Sequence, residues 1–249
     1  MAGVELLGAA LPGALAGFTT RSGGVSVAPW DGLNLALHVG DDPAAVRANR
    51  SAVEALLGAA PVAFPEQVHG AVVGVVSSAA DEVDVRAVGT GCDALVTDRP
   101  DVALGVLVAD CMPVLIADPV AGVVAAAHAG RRGLAAGVLQ ATLAAMSDLG
   151  AAPGRLAAVI GPAICGGCYE VPEAMRDEVD AAVPGTACLT VAGTPGLDLA
   201  AGALTLLRSA SVTVSAVGIC TVEDSRSFSY RRDGTTGRFA GIVMLSGDG

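Results

Sequence analysis

The stretch of residues 102–133 constrains the fold of this chain more than any other. It contains three short apolar runs, 102–109, 113–117 and 122–127. Runs of this length and apolarity predict strands that are covered on both faces. Cys111 follows the first run, and His128 follows the third, just before a Gly-Arg-Arg-Gly turn. Because polar chemistry concentrates where buried strands end, these two side chains are candidate site residues.

A second histidine, His69, stands at the edge of another predicted strand. It lies in the motif QVHG, just before the valine-rich run 72–76. A single cysteine such as Cys111 is usually a small buried hydrophobe, but a cysteine and two histidines in similar settings form a set of metal ligands. Two imidazoles and one thiolate suit zinc, and three protein ligands leave a fourth position open, as in catalytic zinc sites. The same residues also permit a thiol nucleophile, Cys111, with either histidine as its base. Their long separations along the chain do not decide between the two.

Composition and charge exclude several classes of protein. The chain has a formal net charge of −11 and contains no lysine, so its 14 basic residues are all arginines. A chain this acidic, without a basic stripe, is a poor nucleic-acid binder. The mean hydropathy of +0.61 raises the question of a membrane span. However, the longest charge-free stretch, 181–197, is interrupted by prolines and glycines and cannot cross a bilayer as a helix.

The cysteines indicate the cellular compartment, and they lie at positions 92, 111, 165, 168, 188 and 220. They lack the spacing of a disulfide framework, and no basic N-terminal region precedes an apolar stretch as in a secretory signal. We therefore expect a cytoplasmic protein. Cys165 and Cys168 form a Cys-x-x-Cys pair. Without a second pair at zinc-ribbon spacing, or a thioredoxin-like opening strand, the sequence gives little weight to a structural zinc or redox site there.

Several arginines lie in glycine-rich segments that are typical of anion-binding turns, namely Arg21, Arg131, Arg132, Arg231, Arg232 and Arg238. Arg21 belongs to TRSGGVS, in which backbone amides could cradle an oxyanion. Arg131 and Arg132 precede a helical pattern over 134–146, so free amides and two guanidinium groups would meet at a helix N-terminus. The other three lie in FSYRRDGTTGR, whose hydroxyl groups and arginines suit phosphate or another polar ligand.

Other side chains are expected to support the site. Asp93 lies next to a strand-like run and could orient a histidine ligand, because metal-bound histidines usually have such a partner; a turn-capping role is an equal alternative. His38 is expected to be a structural or pocket-wall histidine rather than a ligand. The pair Asp42-Pro43 predicts the start of a helix. Two later helices are predicted near 172–183 and 199–208, and no linker or repeat divides the chain.

Taken in order, the motifs resemble those of one bacterial family, YfiH/YlmD, long labelled polyphenol oxidoreductase or laccase and related to the human laccase-domain protein. The matching motifs are TRSGGVS, NLALHVGDDP, QVHG, DALVTD, ADCMPVLIAD, AAHAGRRG, GPAICGGCYEV and FSYRRDGTTGR. The resemblance covers residues 18–245. The resemblance implies one domain, 1–249, of the α+β class, with mixed β-sheets flanked by helices in an α/β sandwich.

The same resemblance implies an activity and a set of site residues. It implies a zinc-dependent purine nucleoside phosphorylase that acts on adenosine, inosine and methylthioadenosine, and that also deaminates adenosine. The metal ligands, which are also the expected catalytic residues, map to His69, Cys111 and His128. The phosphate site is a prediction from physical chemistry, because an acidic protein must recruit phosphate with local arginines and free amides. The residues expected to bind substrate or phosphate are Arg21, Asn34, Arg132, Arg231, Arg232 and Arg238. Purine nucleosides and inorganic phosphate are the expected partners, and the expected assembly is a monomer or small homo-oligomer.

The chain departs from the family pattern at two positions. Where relatives have Ala-Gly-Trp-Arg-Gly, Arg131 replaces the tryptophan and Arg132 keeps the arginine, which exchanges an aromatic surface for a charge. Cys165 stands where glycine is common. The change at Arg131 bears on substrate preference more than on the metal site.

Three other functions are compatible with the sequence. The family label favours a copper-dependent polyphenol oxidase, although the 3 histidines of the chain are too few for the histidine-rich copper centres of laccases. The second is a cysteine-type hydrolase acting in peptidoglycan editing, with Cys111 as the nucleophile. The third is a binding module without enzyme activity.

Overall fold

Two mixed sheets packed face to face form the centre of the described chain. The computed structural model describes residues 3–76 and 91–246. Within these ranges the strands are β1 (Leu6–Leu11), β2 (Ala14–Thr19), β3 (Val62–Ala63), β4 (Val73–Val75), β5 (Ala94–Thr97), β6 (Ala103–Val108), β7 (Met112–Asp118), β8 (Val123–Ala129), β9 (Ala157–Ile160), β10 (Ala187–Leu189), β11 (Pro195–Leu197), β12 (Thr213–Ala216) and β13 (Phe239–Leu245). The helices are α1 (Pro43–Leu56), α2 (Arg131–Ala135), α3 (Val138–Asp148), α4 (Glu173–Ala182), α5 (Leu199–Ser209) and α6 (Tyr230–Asp233).

Both large sheets mix parallel and antiparallel pairs. A five-stranded sheet has the order β1-β2-β13-β6-β3, and its pairs are antiparallel except for β6 with β3. A six-stranded sheet has the order β12-β9-β7-β8-β5-β4, in which the two outer pairs are parallel and the inner pairs antiparallel. β10 and β11 form a separate antiparallel pair. These mixed sheets with flanking helices confirm the predicted fold class.

Alternate side chains of the central strands face two different cores. In β7, Leu115 packs with Phe18 of β2 in the core between the two sheets. Its neighbour Ile116 faces the opposite core, where Leu139 of α3 covers the six-stranded sheet. Because successive side chains of a strand point to opposite faces, a strand covered on both sides is apolar throughout. Every position of β6, β7 and β8 is accordingly buried, as the sequence predicts.

The helices cover the outer faces of the sheets. α1 packs against the five-stranded sheet, and its Val53 is buried with Ile242 of β13. It begins as predicted, because the Asp42 side chain accepts a hydrogen bond from the N–H of Ala44. α5 covers the six-stranded sheet and begins after Asp198, whose carboxylate caps it in the same way. None of the helices in the described ranges combines the length and apolarity needed to cross a bilayer.

Two details of the region after β7 differ from the sequence prediction. His128 lies within β8 rather than after the strand, because the strand pairing with β7 continues to Ala129. The single helix predicted over 134–146 is interrupted, since Gly137 takes a left-handed conformation with φ of 89° between α2 and α3. The Gly-Arg-Arg-Gly turn therefore leads into a helix of only 5 residues.

Candidate active site and metal centre

Three segments bring His69, Cys111 and His128 together. His69 lies in the loop before β4, Cys111 directly precedes β7, and His128 belongs to β8. Their metal-binding atoms all lie within 4.8 Å of one another, and Cys111 Sγ is 3.8 Å from His69 Nε2. The two imidazole rings meet edge to face, with centroids 4.7 Å apart. The structure thus places the three predicted side chains around one point.

Gly130, directly after β8, leaves open the space that these side chains surround. A Cβ atom at this position would lie 2.9 Å from Cys111 Sγ, 3.2 Å from His69 Cδ2 and 3.6 Å from His128 Nε2. A side chain here would therefore fill the space that an ion needs. Two imidazoles and one thiolate are donors that zinc and copper accept. The residues present fit a bound transition-metal ion.

Asp93 positions both histidines. Its Oδ1 atom lies 2.7 Å from His128 Nδ1, which leaves Nε2 of that ring free for a metal. The same carboxylate accepts the backbone N–H of His69 at 2.9 Å and that of Gly70 at 2.6 Å. His69 has a φ of 62°, which is unusual for a residue other than glycine, and these bonds hold it there. Asp93 therefore lies where the sequence predicted a carboxylate that orients a histidine.

Charges within the centre favour a thiolate. Burial opposes ionisation of Cys111, but hydrogen bonds with His128 and His69 outweigh it and lower the pKa of Cys111 to about 6. Burial also opposes a charged His128, yet its bonds with Asp93 and Cys111 raise the pKa of His128 to about 9. Since thiolate is the ligand form of cysteine, Cys111 is ready for a metal at neutral pH, whereas His128 gives up a proton when a metal binds.

A cavity of about 360 Å³ opens onto these residues. Its size is within the range of small-molecule sites. Leu107 and Ile164 form an apolar part of its wall, and Tyr169 and Tyr230 add phenol rings. His38 also lines the cavity, as the sequence predicts for this residue. The arginines in the wall are Arg131, Arg231 and Arg238.

Two of the arginines predicted to bind phosphate, Arg231 and Arg238, thus line the cavity. The Arg231 guanidinium lies over the Tyr169 ring, 5.1 Å from its centroid. Arg238 donates to the backbone carbonyl groups of Thr236 and Gly237. Burial lowers the pKa of Arg238, although a guanidinium stays charged at neutral pH. A partly desolvated guanidinium attracts an anion more strongly than an exposed one does.

The other four residues predicted to bind substrate or phosphate do not line the cavity. Arg21 forms an ion pair with Asp31 at 2.9 Å. Asn34 is fully buried; its side chain bonds to Ala36 of its own loop, and its Oδ1 atom accepts the backbone N–H of Arg238 at 2.9 Å. Arg232 donates to backbone carbonyl groups of its own segment. Arg132 is exposed on α2. Three of these side chains are used in structural contacts within the protein, and the fourth is exposed and is not part of the cavity wall.

Two residues outside the set predicted to bind substrate or phosphate also line the cavity. Arg131, at the position of the family's tryptophan, lines the cavity, whereas its neighbour Arg132 does not. Gln67 also lines it and exchanges two hydrogen bonds of 2.8 Å with the backbone of Leu107 in β6. Both residues lie in motifs that also contain a candidate metal ligand. Their closeness in sequence to that ligand is the feature from which their place in the cavity wall could have been predicted.

Asp110, immediately before Cys111, ties three segments together. Its carboxylate accepts the Thr221 hydroxyl at 2.6 Å and the backbone N–H of Arg231 at 2.6 Å. Its backbone carbonyl accepts the N–H of Ile164 at 3.0 Å. Asp110 has a φ of 88°, which these contacts maintain. The position of Cys111 is therefore fixed relative to α6, which carries Arg231.

Comparison with known proteins identifies the family. A sequence family described as multi-copper polyphenol oxidoreductase laccase matches residues 15–246. A solved Neisseria meningitidis structure of the DUF152 family has a TM-score of 0.86 and 41% identity, covering 97% of this chain and 99% of that one. The structure of YlmD from Geobacillus stearothermophilus has a TM-score of 0.83 and 35% identity, covering 94% and 93%. The chain belongs to the YfiH/DUF152 family.

Relatives within the YfiH/DUF152 family include named enzymes. A Streptomyces griseus protein named purine nucleoside phosphorylase is 54% identical, over 92% of this chain and 93% of the relative. A Streptomyces coelicolor protein with the same name is 52% identical, over 94% and 96%. The predicted family membership is confirmed, and these names support an enzyme.

Proposed function

We propose that this protein is a zinc-dependent purine nucleoside phosphorylase. The observation that carries the proposal is that one cavity contains both the His69, Cys111 and His128 centre and three arginines in its wall. The names of relatives that share about half of its residues support the same activity. We propose adenosine, inosine and methylthioadenosine as substrates, and adenosine deamination as a second activity, as the family resemblance implies.

The cavity wall suits the two substrates of phosphorolysis. In this reaction the glycosidic bond between C1′ and the purine nitrogen breaks, and a bond forms between C1′ and a phosphate oxygen. An acidic protein must attract the phosphate with local positive charge, which Arg131, Arg231 and Arg238 provide. The apolar wall and the rings of Tyr169 and Tyr230 suit the flat purine, because aromatic faces stack on one another.

His69, Cys111 and His128 would hold the zinc ion, which when bound supplies Lewis-acid chemistry and lowers the pKa of a coordinated water to about 7. The protein's own contribution is positioning. Asp93 holds both histidines, and Asp110 holds Cys111 relative to α6, which carries Arg231. Holding reactants and charged groups in fixed geometry is a large part of catalysis.

The experiment is phosphorolysis by purified, zinc-loaded protein. Inosine is incubated with phosphate, or with sulfate as the control, and free hypoxanthine and ribose 1-phosphate are measured by chromatography. We expect base release that depends on phosphate and on zinc. Protein that binds zinc stoichiometrically but releases no base from inosine, adenosine or methylthioadenosine would contradict the proposal. Adenosine incubated without phosphate tests the deaminase activity through inosine formation.

A copper-dependent polyphenol oxidase is the second candidate, because the description of the family names that activity. The described residues place two histidines and one cysteine at the centre, and the third histidine of the chain, His38, lies elsewhere in the cavity wall. A multi-copper centre needs more histidine ligands than these. Copper content together with oxidation of a phenol would favour this alternative over the phosphorylase.

A cysteine-type hydrolase acting in peptidoglycan editing uses the same centre differently. The low pKa of Cys111 and the nearby His69 suit a nucleophile and its base. Under this alternative the wild-type protein hydrolyses a cell-wall precursor without zinc. A Cys111→Ser variant loses this hydrolysis.

Four further expectations stay predictions from the sequence. They are the single domain 1–249, the cytoplasmic location, the monomer or small homo-oligomer, and the lack of nucleic-acid binding.

A further inference from the structure

A second group of possible metal ligands lies beside the cavity. Cys165, Cys168, Cys220 and Glu223 each offer one ligand atom, and these atoms lie within 4.8 Å of one another. The three thiols are free. None of the four residues belongs to the centre described above.

The four side chains come from two turns with the same ligand spacing. The first is Cys165-x-x-Cys168 and the second is Cys220-x-x-Glu223. In each turn the backbone N–H of the later residue bonds to the carbonyl of the earlier one, at 3.0 Å in the first and 3.2 Å in the second. Such turns place both side chains on one side, and a Cys-x-x-Cys turn is typical of structural zinc sites.

Backbone pairing joins the two turns. Ala163 and Cys220 form a parallel bridge. On either side of it, Ala163 N–H donates to Ile219 at 3.2 Å, and Thr221 N–H donates to Ala163 at 3.1 Å. The relative position of the ligand pairs is therefore fixed by the fold and does not depend on side-chain contacts alone.

Two further contacts favour a bound cation. The backbone N–H of Cys165 lies 3.4 Å from Cys220 Sγ, and an N–H donor of this kind stabilises negative charge on a thiolate ligand. Cys168 Sγ lies 3.5 Å from Glu223 Oε1, so a thiol and a carboxylate face each other. Once ionised, three thiolates and a carboxylate in this space need a cation between them.

We propose that Cys165, Cys168, Cys220 and Glu223 bind a second, structural zinc ion. Four protein ligands close the tetrahedral coordination of zinc, and thiolates select it over magnesium or calcium. Sulfur ligands on one zinc ion are about 3.8 Å apart. The present separations, all within 4.8 Å, need a contraction of about 1 Å or less.

A bound ion would stabilise the wall of the cavity. The first turn is flanked by Ile164 and Tyr169, which both line the cavity. The second turn contains Thr221, whose hydroxyl bonds to Asp110. Zinc joining the two turns would thus hold the segments that fix Asp110, and with it Cys111.

The test is the zinc content of reduced, full-length protein. Protein stripped with a chelator under reducing conditions is reloaded with zinc, dialysed and analysed for metal. Cys168→Ser is expected to hold one ion per chain fewer than the wild type. Cys188→Ser is the matched control, because Cys188 is a nearby thiol that contacts the first turn through the Gly166 carbonyl but is not one of the four ligands. This variant should keep the wild-type zinc content. Equal zinc content in Cys168→Ser and wild-type protein would overturn the proposal.

The His128→Ala variant distinguishes the two centres. It should keep one zinc ion per chain whether or not the first centre of the wild type binds zinc, and its Co²⁺ form should show the intense absorption of thiolate bound to cobalt. Glu223→Gln changes an exposed side chain, so it tests the site even if the cysteine variant misfolds. Introduced into His128→Ala protein, it should weaken zinc binding more than about tenfold. His128→Ala protein without bound zinc, or with affinity unchanged by Glu223→Gln, would also overturn the proposal. If only the first centre fails to bind zinc, the wild-type protein still holds one ion, and Cys168→Ser removes it.

Discussion

Gly130 is the position at which the metal centre can be disturbed without disturbing the backbone. Its φ of −76° and ψ of 169° are open to any residue, so alanine adds no backbone strain. The added methyl carbon would lie 2.9 Å from Cys111 Sγ and 3.2 Å from His69 Cδ2. Non-bonded atoms of this kind normally stay about 3.5–4.0 Å apart, so the Cys111 side chain must move by roughly 1 Å.

A shift of this size is large for a metal centre, in which ligand distances hold within about 0.2 Å. We expect Gly130→Ala to lower the zinc affinity of the first centre by about 10–100-fold, the range measured when a supporting group of a metal site is lost. This corresponds to about 1.4–2.8 kcal/mol of binding free energy. Phosphorolysis should fall with zinc occupancy, while the melting temperature of the metal-free protein stays near that of the parent.

Competition with a chromophoric zinc chelator measures the affinity, and thermal unfolding followed by circular dichroism checks the fold. Gly8→Ala is the matched control, because a Cβ at Gly8 has no atom within 4 Å. Both changes are made in Cys168→Ser protein, so that the neighbouring thiol cluster does not contribute. If Gly130→Ala binds zinc as tightly as Gly8→Ala and cleaves inosine equally fast, the ion does not occupy the space beside Gly130.

The same titration and simple kinetics test three more residues. Asp93→Asn removes the charge that orients His128 and should lower zinc affinity about 10–100-fold; unchanged affinity contradicts that role. Arg238→Gln should raise the KM for phosphate more than that for inosine, while Arg132→Gln should change neither, and steady-state kinetics with each substrate varied separates the two. Burial opposes ionisation of Asp118, but hydrogen bonds from a guanidinium and backbone N–H groups lower its pKa to about 2. Because this value is below the unfolded one of 3.8, Asp118 stabilises the fold above pH 4, and roughly 2 kcal/mol is lost as the pH falls towards 2. Urea unfolding of Asp118→Asn should show a flatter pH dependence in that window; an unchanged slope contradicts the lowered pKa.

The central strands were predictable because burial on both faces leaves a continuous apolar run. β13 has the predicted bounds for the same reason. The strands β10 and β11 were missed, since each has only 3 residues and the first is mostly exposed. The interruption at Gly137 was also missed, because hydrophobic spacing continues across it. Spacing reports which face is buried, and it does not report the φ angle that a glycine adopts.

For the arginines, the sequence predicted the segments near the site but not which side chains line the cavity. Arg231 lines the cavity, while the adjacent Arg232 donates to carbonyl groups of its own segment. Arg131 lines the cavity, while Arg132 does not. Both pairs lie in short helices, α6 and α2, in which neighbouring side chains point about 100° apart. The motif locates each pair beside the site, but the rotation of the helix selects the member that reaches it.

Two carboxylates explain how a chain with 3 histidines builds a rigid centre. Asp93 accepts hydrogen bonds from the His128 ring and from the backbone of His69, so one side chain fixes both imidazoles. Asp110 holds the backbone of Arg231 and directly precedes Cys111. A thiolate ligand and an arginine of the cavity wall are thus positioned by the same residue. Because of this shared support, we expect a displacement of Cys111 to displace the arginine as well, so the proposed metal centre and the arginine side of the cavity depend on each other.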